Sequence, residues 1–265
     1  MNYLERYRNG ECEQVWSDLQ ALGAAVREEP HYSEARAVVV ETMRRVRWNC
    51  ELLVSRLRAL GYVFGTYPDG SIASYTEEPL VGPSNQTRAD CGELEAEAGP
   101  LPLSLVVFWE EVGMVDFVGM HPEWPDGLDP LVVGPPAAPL CDVSEVAGNN
   151  TFETSICSHL SEALGRENFE APKFFGGLAP DDLHKDNVSG GDPYGVALPC
   201  PSADFVFLYE AHNLLFVPYL RLAILRWGGF PGLDGSVARC GFRGLEGKAV
   251  RFEPLGELVA GLEPF

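Results

Sequence analysis

Lysine is nearly missing from this chain. Lys173, Lys185 and Lys248 are the only lysines among 19 basic residues, which face 39 acidic ones and leave a formal charge of −20. A sequence-blind nucleic-acid binder draws most of its affinity from clustered Lys and Arg that neutralise phosphates, so this balance argues against nucleic acid as a partner. It argues equally against docking on anionic membranes. Long apolar runs are missing as well. The greasiest stretch, Leu214–Leu225, is interrupted by Pro218 and Arg221, and no run approaches the roughly 18–20 residues of a membrane span. Met1–Gly10 carries Glu5, Arg6 and Arg8 with no apolar segment behind it, so no secretory signal is read and a soluble, cytoplasmic protein is expected.

The local signatures of common chemistries are also absent. The seven cysteines (12, 50, 91, 141, 157, 200 and 240) are odd in number, irregularly spaced and without a Cys-x-x-Cys pair. Neither a disulfide framework nor a zinc knuckle fits them, and free, mostly buried thiols are expected. Asn85, Asn149 and Asn187 open Asn-x-Ser/Thr triplets that carry no glycan in a cytoplasmic protein. Gly190-Gly191 and Gly228-Gly229 belong to no phosphate-binding glycine motif. Ser189 lacks the Gly-x-Ser-x-Gly elbow, and Cys157 and His159 point apart if both lie on one helix.

What is present is an ordinary globular composition, 46% hydrophobic and 22% charged over 265 residues, enough to bury a large core without metal or disulfide support. Val39, Met43, Val46, Cys50, Leu53, Val54, Leu57 and Leu60 recur at steps of three and four, and Gly61 stands where a helix-ending glycine belongs. Arg44, Arg45, Arg47, Arg56 and Arg58 fall mostly off that stripe and predict a basic outer face. An earlier helix is predicted over Cys12–Glu28, a strand over Tyr62–Tyr67 and a turn at Pro68-Asp69-Gly70. Residues 77–100, rich in Pro, Gly and acids, read as a connection between a helical region (1–76) and an α+β domain (101–265). Within the latter, a helix is predicted over Leu103–Val112 with Leu105, Phe108, Trp109 and Val112 inward. Buried strands are predicted at Met114–Met120 and Leu131–Val133, and a helix at Thr154–Leu164. Further strands are expected at Phe174-Phe175 and Tyr194–Leu198, and a buried helix at Asn213–Trp227. Short strands scattered among helices, without regular βαβ alternation, indicate the α+β class.

The densest polar cluster runs from Ala179 to Tyr194 and holds Asp181, Asp182, His184, Lys185, Asp186, Asn187, Ser189, Gly190, Gly191 and Asp192. Such a loop can contact a ligand, or it can be a turn in which Asp and Asn bond backbone amides and the glycines take positive φ. His121, His184 and His212 can meet Asp181, Asp182 or Glu210 as a His/carboxylate metal site only through tertiary contacts, since no local pair fixes two ligands on one element. His121-Pro122-Glu123-Trp124-Pro125 reads as an aromatic-capped corner, either lining a pocket or packing. Trp227 and Phe230, around Gly228-Gly229, read as core, and Arg226 as a partner for helix-end carbonyls.

Glu93-Leu94-Glu95, Gly99-Pro100-Leu101-Pro102-Leu103-Ser104-Leu105, Phe108-Trp109 and Val112-Gly113 together resemble the opening of a SUKH-superfamily domain, with Val-Gly where that opening usually has Asn-Gly. The similarity covers about Glu93–Val133. His121-Pro122-x-Trp124, Leu128-Asp129-Pro130-Leu131, the 179–194 loop, Tyr219-Leu220-Arg221 and Arg226–Gly232 resemble blocks of a group of bacterial proteins to which the resemblance attaches no activity. The SUKH resemblance implies a central, largely antiparallel sheet with flanking helices, and use as an immunity protein that neutralises a toxin by direct binding. It supplies no catalytic residues and no cofactor.

The resulting expectation is a non-enzymatic intracellular protein that binds a protein partner, such as a basic toxin, and uses neither metal nor cofactor. The candidate contact residues are His121, Trp124, Asp181, His184, Lys185, Asn187 and Tyr194. The alternatives are an enzyme, such as a metal-dependent hydrolase, working through the His184 loop, and a scaffold protein.

Overall fold

A computed structural model describes residues 2–67, 69–73, 78–124, 128–136, 140–143, 151–166, 170–234 and 254–265. Pro68, Pro125, Asn149, Cys240 and Lys248 lie outside them. The chain opens with α1 (Tyr3–Arg8), held by a capping box between Asn2 and Glu5, and continues into α2 (Cys12–Ala21) and a 3₁₀ turn, Gly23–Arg27. The predicted Cys12–Glu28 helix thus tightens after Ala21. The central element is α3 (His31–Leu60), which starts eight residues before the apolar stripe read from Val39. Its stripe from Val38 to Leu57 is buried, and it ends as predicted: Gly61 sits at φ +92°, with Tyr62 N bonded to Leu57 O and Gly61 N to Arg58 O.

Strand β1 (Val63–Phe64) follows, then β2 (Leu80–Val81) and α4 (Thr87–Ala98). The described part of the expected irregular connection is therefore mostly strand and helix. Thr87, Cys91 and Ala98 give α4 a narrow buried edge of small residues, which the acidic composition hides. Helix α5 (Leu103–Glu111) buries Leu105, Phe108 and Trp109 against α3, as the spacing predicts.

The single strand predicted over Met114–Met120 divides into β3 (Met114–Asp116) and β4 (Gly119–Met120). Asp116 Oδ1 accepts from Val118 N at 3.0 Å, and this side-chain turn breaks the strand and sends its halves to different sheets. Next come β5 (Val132–Val133), β6 (Leu140–Asp142), α6 (Thr151–Leu164), β7 (Phe174–Ala179), the short α7 (Asp182–Lys185) and β8 (Tyr194–Leu198). Helix α8 (Phe216–Arg221) runs on as a π-helical turn, Leu222–Arg226, before the 3₁₀ turn Pro231–Asp234 and α9 (Leu255–Val259).

All described strand pairs are antiparallel, and the fold is mixed α+β. The strands form three small sheets, β1-β4, β2-β3-β5 and β6-β7-β8. One core joins α1, α2, α3, α5, β5 and α8, and a smaller one lies under α6 around Ile156, Phe175 and Leu208. No helix among the described residues is long and apolar enough to cross a membrane.

Two details refine the sequence reading. Phe230 is fully buried, but Trp227 is only partly so; Arg226 lies over its ring at 5.1 Å, where the sequence suggested a partner for carbonyls. The six described cysteines are free, but only Cys50 and Cys91 are buried; burial pushes both thiols up to about 12, so neither is a ready nucleophile.

Candidate functional site

The polar loop after β7 folds around one carboxylate. Asp181 caps α7: its Oδ1 accepts from His184 N at 2.7 Å and from His184 Nδ1 at 2.7 Å, and its Oδ2 accepts from Gly191 N. Asp181 is buried, while the His184 side chain remains 49% exposed. Because the Asp181 carboxylate only accepts, the Nδ1 of His184 carries the hydrogen of this contact. The expected positive φ falls on Asn187 (+60°), not on the two glycines. Gly190 is required for another reason, because a Cβ there would collide with the Asp181 carboxylate and the Leu183 side chain. Asn187 reaches across to Asp69 at 3.2 Å.

One residue beyond His184, Lys185 turns inward. Its Nζ is fully buried and lies 2.5 Å from Asp129 Oδ1, and Tyr194 OH donates to Asp129 Oδ2 at 3.2 Å. The same ammonium stands 4.6 Å from the centre of the Tyr194 ring. Lysine is rarely buried unless paired, and here pairing, hydrogen bond and ring face coincide. Burial pushes the Tyr194 hydroxyl far up, and the neighbouring Asp129 charge adds to this, so the phenol stays protonated and serves as the donor. Tyr219, on α8, is likewise raised by burial and by the charges of Asp129 and Glu210, and its buried hydroxyl has no hydrogen-bond partner among the described residues. Glu210, itself almost fully buried, accepts from His212 N at 2.9 Å and pairs with His212 Nδ1. Burial raises its carboxyl, and His212 partly offsets that.

His121 and Trp124 belong to a different arrangement. His121 Nε2–H donates to Leu60 O at 3.0 Å while Nδ1 accepts from Glu123 N at 3.1 Å, which fixes one tautomer. The Trp124 ring stacks on His121 at 4.8 Å and packs with Tyr62 and Phe230, so this corner ties α3 to β4. His159 bonds Asn213 at 3.0 Å and meets the edge of Tyr209. Among the described residues no group of three or more His, Cys, Asp or Glu is placed to hold a metal ion: His184 and His212 each meet a single carboxylate, Asp181 and Glu210, and the three histidines do not gather into one site.

The structure thus brings Asp181, His184, Lys185, Asn187 and Tyr194 into one neighbourhood and leaves His121 and Trp124 to packing. The candidate contact residues read from the sequence left out Asp129, Glu210, His212 and Tyr219; Glu210 and His212 entered only as possible metal ligands, and Asp129 and Tyr219 only within the resembling blocks. A charged residue between apolar neighbours, Leu128-Asp129-Pro130-Leu131, in a chain with so few lysines was the available signal. Chemically, the ammonium of Lys185 cannot reach an external substrate, and Asp129, Lys185 and Tyr194 clamp the strand-leading loop, α7 and β8 together. Comparison with protein-family models, curated proteins and solved structures finds no match.

Proposed function

We propose that this chain is a non-enzymatic binding protein of immunity type, whose acidic surface receives a basic protein partner such as a toxin. The observation that carries this reading is the internal use of arginine. Arg6, Arg8, Arg27, Arg36, Arg44, Arg45, Arg47, Arg58 and Arg88 each bridge a carboxylate of the chain itself. Arg56 and Arg221 bond main-chain oxygens. Four of the five arginines of the basic face expected on α3 are therefore neutralised by Glu41, Glu51, Glu78 and Glu111, the fifth, Arg56, being held by Leu258 O, and the surplus of 39 acidic over 19 basic residues is left to act on a partner. Such a surplus speeds encounter with a cationic protein.

The test is capture of partners from source cells on the immobilised full chain, followed by reconstitution with the purified partner. A basic protein bound one to one, with an association rate that falls steeply between about 20 and 150 mM salt and a toxic activity silenced by binding, is the expected result. A partner whose on-rate ignores salt removes electrostatic steering, and absence of any stoichiometric basic partner removes the reading.

A second reading rests on the Asp181–His184 pair, in which a buried carboxylate orients a half-exposed imidazole as in a general base. Loss of a hydrolytic activity by orders of magnitude in His184→Ala, with the fold intact, would favour it.

A further inference from the structure

A second set of buried charges lies behind the His184 loop. Phe207 N bonds Leu214 O and Val206 pairs with Leu215, so residues 208–213 form a closed loop, with Tyr209 and Asn213 at φ +65° and +52°. Leu208 pairs with Gly195, which fixes this loop against the start of β8, next to Tyr194. Glu210 stands there 1% exposed, bonded by His212 N at 2.9 Å and paired with His212 Nδ1, while the His212 side chain is 16% exposed. The Asp129 charge acts on Glu210, and both carboxylates act on the buried hydroxyls of Tyr194 and Tyr219. Asp129, Lys185, Tyr194, Glu210, His212 and Tyr219 therefore form one electrostatic unit, drawn from the loop before β5, α7, β8, the 208–213 loop and α8. Around it, Asp182 acts on Tyr194, Asp192 acts on Tyr209, and His159 of α6 bonds Asn213.

We infer that the Glu210–His212 pair is a proton-operated latch on the clamp that directs the His184 loop. Within the unit the Lys185 ammonium balances Asp129. The charge of Glu210 is balanced only when a proton is added to the Glu210–His212 pair, as glutamic acid beside imidazole or as glutamate beside imidazolium. With that proton bound the unit is electroneutral and Lys185 stays inside. When it leaves, two buried carboxylates face one ammonium, and their repulsion falls on the Asp129–Lys185 contact. The four-residue α7 is the element that yields, because Lys185 is its inward anchor, and its opening lets water reach the separated charges. The sign follows from burial, which raises the Glu210 carboxyl against the opposing effect of His212. A raised folded-state value makes the contribution present at low pH and lost as pH rises. His184 lies one residue before the anchor, so the latch controls the candidate site under either functional reading.

The test treats the full chain with acetic anhydride between about pH 6.5 and 9.5 and reads acetylation of Lys185 against that of the exposed Lys173 by mass spectrometry. Both amines react as the free base, so the ratio reports access to Lys185. In the wild-type chain it is expected to lie about tenfold or more below unity at the low end and to climb about tenfold toward the high end, with far-UV circular dichroism unchanged. Glu210→Gln keeps the side-chain shape without a charge and should hold the ratio low throughout. His212→Gln removes the imidazole that shares the proton and should move the climb to lower pH, whereas His159→Gln should leave it in place. A wild-type ratio that stays flat, a climb that persists unchanged in Glu210→Gln, or a climb that accompanies loss of circular dichroism would overturn the inference. So would a His212→Gln profile that matches wild type, or a shift in His159→Gln, which would assign the titration to α6. No partner enters this experiment, so its outcome is separate from the partner capture that tests the binding reading.

Discussion

Cutting one half of the Lys185–Asp129 pair should be among the most damaging single changes available in this protein. The side chains are 0% and 2% exposed and the charged atoms are 2.5 Å apart. At an effective dielectric of about 20 their attraction is about 7 kcal/mol, the same order as the several kcal/mol per ion needed to take both out of water. The pair therefore contributes little net stability, while each ion alone leaves the other buried and unpaired. Lys185→Met and Asp129→Leu are each expected to cost about 3–5 kcal/mol, and the double replacement to stay within about 1–2 kcal/mol of the parent. Tyr194→Phe, which removes one hydrogen bond to Asp129 but keeps the ring under the ammonium, should cost about 1–2 kcal/mol. Urea unfolding followed by the fluorescence of the five tryptophans measures all four. Single-variant losses below about 1 kcal/mol would mean that water reaches the pair. A double variant as damaged as the sum of the singles would refute the near-cancellation of attraction and desolvation.

Asp204 is fully buried, where it accepts from Ser104 Oγ and Val217 N; burial pushes its carboxyl up to about 6 from 3.8, against those hydrogen bonds. Because the folded value lies above the unfolded one, its contribution is most favourable below about pH 4 and is lost as pH rises through about 6; Asp204→Asn should remove a stability change of about 1–2 kcal/mol between pH 5 and 7.5, and denaturant titrations giving parallel pH profiles for both proteins would contradict this. Gly113 sits at φ +91° with Val81 O and Pro83 N where a Cβ would be, so Gly113→Ala should cost about 2–4 kcal/mol and raise hydrogen exchange in β2; a loss under 1 kcal/mol would show that this strand gives way freely. Among the described residues the Trp227 indole N–H, though buried, has no partner, so Trp227→Phe should change stability by less than about 1 kcal/mol in a thermal melt, and a loss above about 3 kcal/mol would mean that the N–H has an acceptor.

Periodicity was legible wherever one face of an element is buried by a long row of apolar residues. The α3 stripe, the inward set of α5 and the limits of β8 follow the pattern of their side chains, and the Gly61 stop follows from the need for positive φ. It failed where a side chain acts on the backbone or where burial uses small residues. The Asp116 turn that splits Met114–Met120 is a single hydrogen bond inside an apolar run, and α4 buries only Thr87, Cys91 and Ala98 along an otherwise acidic surface. The polar loop was visible as composition, but its chemistry was not. The partner of Lys185 lies 56 residues away, and the side chain one position earlier, His184, points to solvent instead. Composition can mark such a loop as unusual, yet the direction of each side chain depends on α7, whose cap at Asp181 makes four residues helical.

The arginines show the same gap between pattern and meaning, and here it bears on function. On a helical projection Arg44, Arg47 and Arg58 form a basic outer face, which would oppose a cationic partner. In the fold each is drawn to a glutamate from another element or the next turn: Arg44 to Glu111, Arg47 to Glu51 and Arg58 to Glu78. Exposed pairs of this kind contribute at most about 1 kcal/mol each to stability, so their main consequence is electrostatic. Every arginine paired in this way removes one positive and one negative charge from the field that a partner meets at a Debye length of about 8–10 Å, and what remains is the acidic excess. Among the described residues these paired arginines leave the acidic excess to set the field at a distance, which is the premise of the basic partner proposed above.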